Sequence, residues 1–330
     1  MTSTLHLGDC LDVMRTLDAD SVDAVVTDPP AGIAFMNSKW DGHKGGRAQW
    51  IAWLSERLAE AHRVAKPGAR LLCWAIPRTS HWTGTAIEDA GWIIEDRLAH
   101  LFGTGMPKAQ SRLKPSVEDW WISRKASKGV PPLNIDACRI SARDGVPKLT
   151  NRGEPSNNCY HDGLAGSNRT GEIDTLGRWP ANLVLDEEAA AMLDAQTGHL
   201  HSSGNLGGTA RNHKNGFMGN LGPWLYPPSF GDSGGASRFY YCPKASKSDR
   251  GEGNIHPTVK SHNLMRWLVR LIAKPGDLLL DPFAGSGSTA LACQAEGVRF
   301  VGVEQSAEYH AIAERRTRAA EQAKGELLFA

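Results

Sequence analysis

The chain has 330 residues, with 37 Lys and Arg against 36 Asp and Glu and a formal net charge of +1. That length allows one large α/β domain or two smaller ones with a real core, and the balanced charge excludes a globally basic nucleic-acid binder, leaving only local patches for such a partner. The six cysteines, Cys10, Cys73, Cys138, Cys159, Cys242 and Cys293, form no Cys-x-x-Cys pair and no cluster with histidine at metal-ligand spacing, so no metal is expected and they read as reduced, cytosolic thiols.

No basic-flanked apolar leader opens the chain, and no apolar run approaches the roughly 18 residues of a membrane span, so a soluble cytoplasmic protein with no membrane partner is expected. From Leu5 to Gly103 short apolar strands alternate with helical stretches. "VDAVVTD" reads as a strand, "AQWIAWLSERLAEAHRVA" as an amphipathic helix stopped by Lys66-Pro67-Gly68, "ARLLCWAI" as a strand, "HWTGTAIEDAG" as a helix and "WIIEDRLAHLF" as a strand. Such alternation implies parallel strands joined by helical crossovers. Gly, Pro, Asn and Ser dominate from about Thr104 to Ser237, a segment that looks inserted. Alternation then returns with helix "SHNLMRWLVRLIA", strand "DLLLDPFAG", helix "STALACQAEG", strand "VRFVGVEQS" and helix "SAEYHAIAERRTRAAEQA". The expected organisation is therefore 1–103, 104–237 and 238–330, the first and last being halves of one domain.

Two strand ends carry candidate chemistry. "VVTDPP" runs β-branched residues into Asp28 at a turn that Pro29 and Pro30 make rigid, either to present a carboxylate to a ligand or simply to cap the next segment. "DLLLDPFAGSGSTALACQAEGVRFVGVE" ends a strand at Asp281, passes through a turn with Gly285 and Gly287, starts a helix near Ser288, and ends a second strand at Glu304. Glycines let backbone approach a ligand, helix amides face a carboxylate, and a strand-end acid can receive ribose hydroxyls, which is the physics of a nucleoside site. The spacing is not Gly-x-Gly-x-x-Gly and no Lys-Ser/Thr follows, so a dinucleotide or a nucleoside triphosphate is disfavoured.

"DPFAGSGSTALAC" resembles the S-adenosylmethionine motif of DNA amino-methyltransferases, and "TDPP" resembles their catalytic motif. "HPTVKSHNLMRWLVRLIAKPGDLLLDPFAGSGST" is similar to the block upstream of the cofactor motif in the beta group of those enzymes, where the catalytic motif comes first, an inserted recognition region next and the cofactor motif last. "LKPSVEDWWISRKA", "LNIDACRI", "GRWPANLVLD" and "FYYCPKASKSDR" further resemble phage and prophage members, a setting associated with restriction-modification. The resemblance implies an α/β, Rossmann-like S-adenosylmethionine-dependent methyltransferase fold with a mostly parallel central sheet, circularly permuted, plus an inserted target-recognition region. It also implies S-adenosyl-L-methionine as cofactor, double-stranded DNA as partner, and a homodimer of the kind that beta-group relatives often form.

Carried over residue by residue, the resemblance makes Asp28, Pro29 and Pro30 catalytic. It places Asp9 and Cys10 at the cofactor's purine, His256, Pro257, Thr258 and Lys260 at its methionine end, and Asp28, Asp281, Pro282, Phe283, Gly285, Ser286, Gly287, Ser288 and Glu304 along the rest of it. Asp9 also reads as an N-cap of the helix "CLDVMRTL", and Ser261 replaces the family's usual proline. An exocyclic amine on adenine or cytosine is a poor nucleophile, because its lone pair is delocalised into the ring. Hydrogen bonds to the Asp28 carboxylate and the Pro29 carbonyl would localise that pair toward the methyl group. The base must leave the duplex and stack on an aromatic face to get there. In the family the residue after Pro-Pro is that aromatic; here it is Ala31. Phe35 or Trp40 supplies the ring, or the chain carries an inactivating Tyr-to-Ala change, or the pocket takes a bulkier base or modified cofactor.

Leu101 to Pro180 holds twelve basic against eight acidic residues and His201 to Arg250 six against two. Lys108, Arg112, Lys114, Arg124, Lys125, Arg211, Lys214, Lys244 and Lys247 are the candidate phosphate contacts, while Trp120, Trp121 and Trp179 read as packing. The function expected is a site-specific DNA methyltransferase, adenine N6 ahead of cytosine N4. The alternatives are a catalytically impaired cofactor- and DNA-binding relative, and a methyltransferase acting on RNA or a protein amide.

Overall fold

The computed structural model describes residues 3–35, 40–42, 44–105, 113–141, 146–151, 167–174, 177–201, 210–212, 223–225, 233–243, 253–256 and 259–329. In chain order the elements are β1 (Ser3–Leu7), α1 (Cys10–Arg15), β2 (Val22–Thr27), α2 (Arg47–Val64), β3 (Ala65–Ala75), α3 (Ser80–Asp89), β4 (Ile93–Leu101), β5 (Val117–Arg124), β6 (Val146–Asn151), β7 (Ser167–Asp174), β8 (Leu183–Leu185) and α4 (Glu187–Thr197). They continue with β9 (Leu200–His201), β10 (Ala210–Asn212), β11 (Pro223–Leu225), β12 (Ser233–Gly234), α5 (His262–Ile272), β13 (Leu278–Asp281), α6 (Ser288–Glu296), β14 (Arg299–Glu304) and α7 (Ala307–Phe329).

The chain forms two compact units. One comprises Met1–Cys138, Ala181–Ala189 and Cys242–Ala330; the other comprises Arg139–Pro180 and Ala190–Tyr241. The first holds an eight-stranded sheet in the order β1-β14-β13-β2-β3-β5-β4-β8. All neighbours in it are parallel except β5, which lies antiparallel to both β3 and β4. The sheet is thus α/β and mostly parallel, as expected. Its central strands β2 and β13 are short apolar runs because helices cover both faces. From β2, Val22, Ala24, Val25 and Val26 are buried, as are Leu279 and Leu280 of β13. On one face α2 buries Trp50, Ile51, Leu54, Leu58 and Ala61, a stripe at helical spacing.

Two strands of this sheet, β5 and β8, come from the 104–237 stretch that reads as an insertion. Pro115 and the Ser127–Pro132 run around β5 carry turn composition, which masks an eight-residue strand between them. The consequence is geometric. Because β5 runs against its neighbours, its first residues lie at the carboxyl ends of β3 and β4, with Asp119 opposite Ala75 and Glu118 opposite His100. In the second unit the antiparallel pairs β6–β7, β10–β11 and β12–β9 join a bridge between Ile140 and Arg178. No helix among the described residues is long and apolar enough to cross a membrane.

Candidate active site

β2 and β13 are neighbours, pairing Ala24 with Leu279 and Val25 with Leu280. Asp28, just past the end of β2, and Asp281, the last residue of β13, therefore emerge side by side at the carboxyl edge of the sheet. The two ends are tied together. Asp281 Oδ1 accepts from Thr27 Oγ1 at 3.0 Å and from the Phe283 N–H at 3.1 Å, while its Oδ2 accepts from Thr289 Oγ1 at 2.6 Å. Burial pushes the Asp281 carboxyl up to about 7 even against these three donors. Asp281 thus clamps β2, its own turn and α6, and this clamp fixes where Asp28 stands.

The turn after Asp281 carries the glycines. Gly285 has φ +53°, and a Cβ there would lie 3.1 Å from His256 Nε2. Its N–H donates to Glu304 Oε2 at 2.9 Å, and the Ser306 N–H donates to Glu304 Oε1 at 2.8 Å. Glu304, at the end of β14, is raised mainly by burial. At the neighbouring edge Asp9 caps α1, accepting from the Leu11 N–H at 2.8 Å, with its other oxygen 3.7 Å from Arg57. Asp9 is thus the N-cap expected of it, and it also lines the cavity. Cys10 lines the same wall, but burial pushes its thiol up to about 12, so it is a packing residue rather than a nucleophile. Burial likewise raises Cys73, Cys138 and Cys293; Cys159 lies outside the described residues.

Beyond Pro30 the chain folds back on Asp41, whose Oδ1 accepts from the Gly32 N–H at 2.9 Å and whose Oδ2 accepts from the Phe35 N–H at 2.7 Å. Gly32 sits at φ +73° directly over the Trp50 indole, which would meet a Cβ at 2.6 Å. This return places Ala31, Phe35 and Trp40 on one cavity wall. Trp40 stacks on His256 with centroids 6.4 Å apart, and His256 meets Tyr309 edge-on at 4.5 Å. His256 is also held from the backbone, its N–H donating to Asn254 Oδ1 at 3.0 Å.

Three residues of the site carry no motif signal. Lys260, expected at the cofactor's methionine end, has its Nζ 3.1 Å from Asp28 Oδ2, 3.9 Å from Glu118 Oε2 and 3.7 Å from the centre of the Trp74 ring. Glu118 in turn lies 3.7 Å from His100 Nδ1. Burial raises Asp28 to about 6, with Lys260 pulling it down and Glu118 pushing it up. Burial also tends to raise Glu118, but Lys260, with His100 and Trp74 opposite it, outweighs burial and holds it at about 2. The ring nitrogens Trp74 Nε1 and His100 Nδ1 are buried and close no hydrogen bond of ordinary geometry. Glu118, Trp74 and His100 reach the site through the antiparallel entry of β5 and its neighbours, a long-range arrangement with no local sequence signature.

All these groups surround a cavity of about 1290 Å³, lined by Asp9, Cys10, Asp28 to Ala31, Phe35, Trp40, Trp74, His100, Glu118, His256, Lys260, Asp281 to Ser286, Ser288 and Glu304. Pockets for a single small ligand typically measure roughly 300–1,000 Å³, and this cavity exceeds that range. Gly287 lies behind the wall, where a Cβ would meet Ala313 at 3.0 Å, and serves the packing of α7.

The basic candidates divide. Lys114 lines the cavity with its Nζ donating to the Gly103 carbonyl at 2.8 Å. Arg124 and Lys125 lie at the other end of β5, where Arg124 meets Glu95 at 3.1 Å and Lys125 donates to Asp20, the His62 carbonyl and the Ala65 carbonyl. The structure does not bring them to the cavity. Arg211 pairs with Trp224 in β10–β11, and Lys108, Arg112, Lys214, Lys244, Lys247, Pro257 and Thr258 lie outside the described residues. Trp120 is fully buried and Trp121 bonds Ser80 Oγ, as packing residues should. Trp179 corrects its packing assignment: it is 64% exposed, covered on one face by the Arg139 guanidinium at 4.8 Å, because the bridge at Arg178 leaves the next side chain outside.

Residues 22–315 match the DNA methylase family N6_N4_Mtase. The chain is 38% identical over 317 residues to the DNA adenine methyltransferase YhdJ of Escherichia coli, covering 95% of this chain and 82% of that one. It is 41% identical over 64 residues to the Type II methyltransferase M2.DpnII of Streptococcus pneumoniae, 19% of this chain and 24% of that one. In fold it is similar to the PvuII cytosine-N4-specific DNA methyltransferase, with a TM-score of 0.56 and 15% identity over 95% of this chain and 86% of that one. It is also similar to an M1.HpyAVI–SAM complex, with a TM-score of 0.50 and 17% identity over 96% and 98%.

Proposed function

The chain belongs to the N6/N4 DNA methylase family and is an S-adenosylmethionine-dependent DNA methyltransferase, and from that premise we propose that Asp28 receives an extruded base and that the base is adenine, methylated at N6. The observation that carries this reading is the adjacency of β2 and β13, which opens Asp28 and the Gly285 turn into one cavity. The preference for adenine follows the relative that matches nearly the whole chain.

The residues fit the cofactor. Gly285 leaves open an approach that any Cβ would fill against His256, Phe283 offers an apolar wall, and the Asp9 and Glu304 oxygens stand at strand ends where purine and ribose donors can meet them. Ser286, Ser288 and His256 border the methionine end. When bound, the cofactor supplies an electrophilic methyl group. Asp28 Oδ and the Pro29 carbonyl accept hydrogen bonds from the amine, which pyramidalises the nitrogen and directs its lone pair. With its pKa raised to about 6, the Asp28 carboxylate is ionised at neutral pH and can take the proton that the amine sheds as the nitrogen–carbon bond forms.

Aromatic support for the base comes from the loop that Asp41 folds back, through Phe35 or Trp40, since Ala31 offers no ring. We assign reading of the target sequence on duplex DNA to the second unit, where Trp179 is exposed. Labelled cofactor incubated with unmodified genomic DNA, followed by nucleoside analysis, tests the reading: N6-methyladenine is expected, and N4-methylcytosine would reverse the base assignment. Cofactor binding with no methyl incorporation would select an impaired relative. With the ring supplied by Phe35 or Trp40, Ala31→Tyr is expected to leave turnover unchanged; a gain of about tenfold to a hundredfold, matching a stacking contribution of roughly 1–3 kcal/mol, would mean instead that the ring is missing at position 31.

A further inference from the structure

The Asp28 carboxylate that must accept a neutral amine already accepts an ammonium. Lys260 Nζ, whose side chain is 11% exposed, lies 3.1 Å from Asp28 Oδ2, and a charge-assisted contact of that length is stronger than one from an N–H₂ group. A base could not displace it unless the cation had another anion within reach. Glu118 is that anion, 3.9 Å from the same nitrogen, and the Trp74 ring lies 3.7 Å beneath, where its face favours a cation. Resting on the reading of Asp28 given above, we propose that Glu118 is a positioning residue: it draws Lys260 off Asp28 as the base arrives, so that the carboxylate passes from ammonium to amine without being left uncompensated in the cavity.

Charge count explains why both acids are needed. Asp28 faces Lys260, Glu118 and Asp41 directly, with Asp281 from β13 and Cys73 from β3 behind it; Glu118 faces Lys260, His100 and Trp74. Without Lys260, a buried Asp28 beside three other acids would take up a proton and lose its acceptor character. Without Glu118, Lys260 would have Asp28 as its sole neighbouring acid among the described residues and would block it. The pair holds Asp28 ionised yet releasable.

The two substitutions move the pH dependence in opposite directions, which a merely structural role would not do. Single-turnover methyl transfer to unmodified genomic DNA is followed against pH in the native chain, Glu118→Gln, Lys260→Met and Asp28→Asn. Removing the Glu118 charge lowers the Asp28 pKa, so the acid limb is expected to move to lower pH while the plateau falls about tenfold because Lys260 stays on Asp28. Removing Lys260 leaves burial unopposed, so the limb is expected to move to higher pH. Limbs that stay in place, or that move together, would overturn the proposal. Full activity in Asp28→Asn would instead remove the reading on which it rests.

A second measurement is independent of turnover: the structure of the protein with a bisubstrate adduct joining the cofactor to the exocyclic nitrogen of adenosine or cytidine. Lys260 is expected on Glu118, with the Asp28 oxygens on the nucleobase amine. Lys260 still on Asp28 would overturn the proposal.

Discussion

Two Asp-Pro turns stand side by side at the carboxyl edge of the sheet, Asp28-Pro29 after β2 and Asp281-Pro282 after β13, and they have become opposites. Burial raises both acids, to about 6 and about 7. Asp281 is surrounded by two hydroxyls and a backbone N–H from its own and the adjoining elements, whereas Asp28 is compensated by a long lysine side chain from another part of the chain. Fixed neutral donors make a carboxylate a strut. A removable cation keeps it available to a ligand. The difference between structure and chemistry here lies in the partners, not in the acid or its local sequence.

The largest effect that would sharpen this contrast is loss of the available acid. Asp28→Ala is expected to lower methyl incorporation by about 10²–10⁴-fold, the range for a positioned proton acceptor, with cofactor affinity within about threefold in a binding titration. Asp281→Ala should act through the fold instead. It strands Thr27, Thr289 and the Phe283 N–H, so denaturant unfolding should show a loss of about 1–3 kcal/mol together with weakened cofactor binding. If Asp281→Ala kept native stability and lost only turnover, the strut assignment would fail.

A smaller effect is the pH dependence of the native chain. In the proposed mechanism the ionised form of Asp28 is the acceptor; its pKa is raised, so activity should be full well above about pH 6 and fall about tenfold per unit below it, as a rate profile would show. Smallest of all, Thr27→Val removes one donor from Asp281 at the residue preceding Asp28, and about 1 kcal/mol of stability is expected to go with it. A change in the pH profile of that variant would show that the two turns are coupled more tightly than one hydroxyl allows.

Much of this was legible in the sequence. β2 and β13 announce themselves because a strand buried on both faces is a continuous apolar run, and a proline or glycine turn marks its end. Asp28, the Gly285 turn and Glu304 follow from those ends. Glu118 was not legible, since its strand sits between Pro115 and a Ser-, Gly- and Pro-rich run in a region whose composition reads as loop, and only pairing with Trp74, Ala75 and His100 neighbourhoods places it. Lys260 was found but for another contact: the motif names the residue and not the direction of a flexible side chain. Arg124 and Lys125 look like phosphate contacts in sequence because Glu95 and Asp20, which meet them, are distant along the chain.

The antiparallel entry of β5 leaves the enzyme unusually intolerant of length change at one point. Side chains alternate faces along a strand, so adding or deleting one residue inside β5 between Asp119 and Arg124 would shift Glu118 by one position against the ladder that the rest of the strand makes and carry it to the opposite surface, with Asp119 or Val117 in its place. The register of β5 against β3 and β4 is thus a ruler for the position of Glu118, set by backbone pairing and not by any side chain of the cavity.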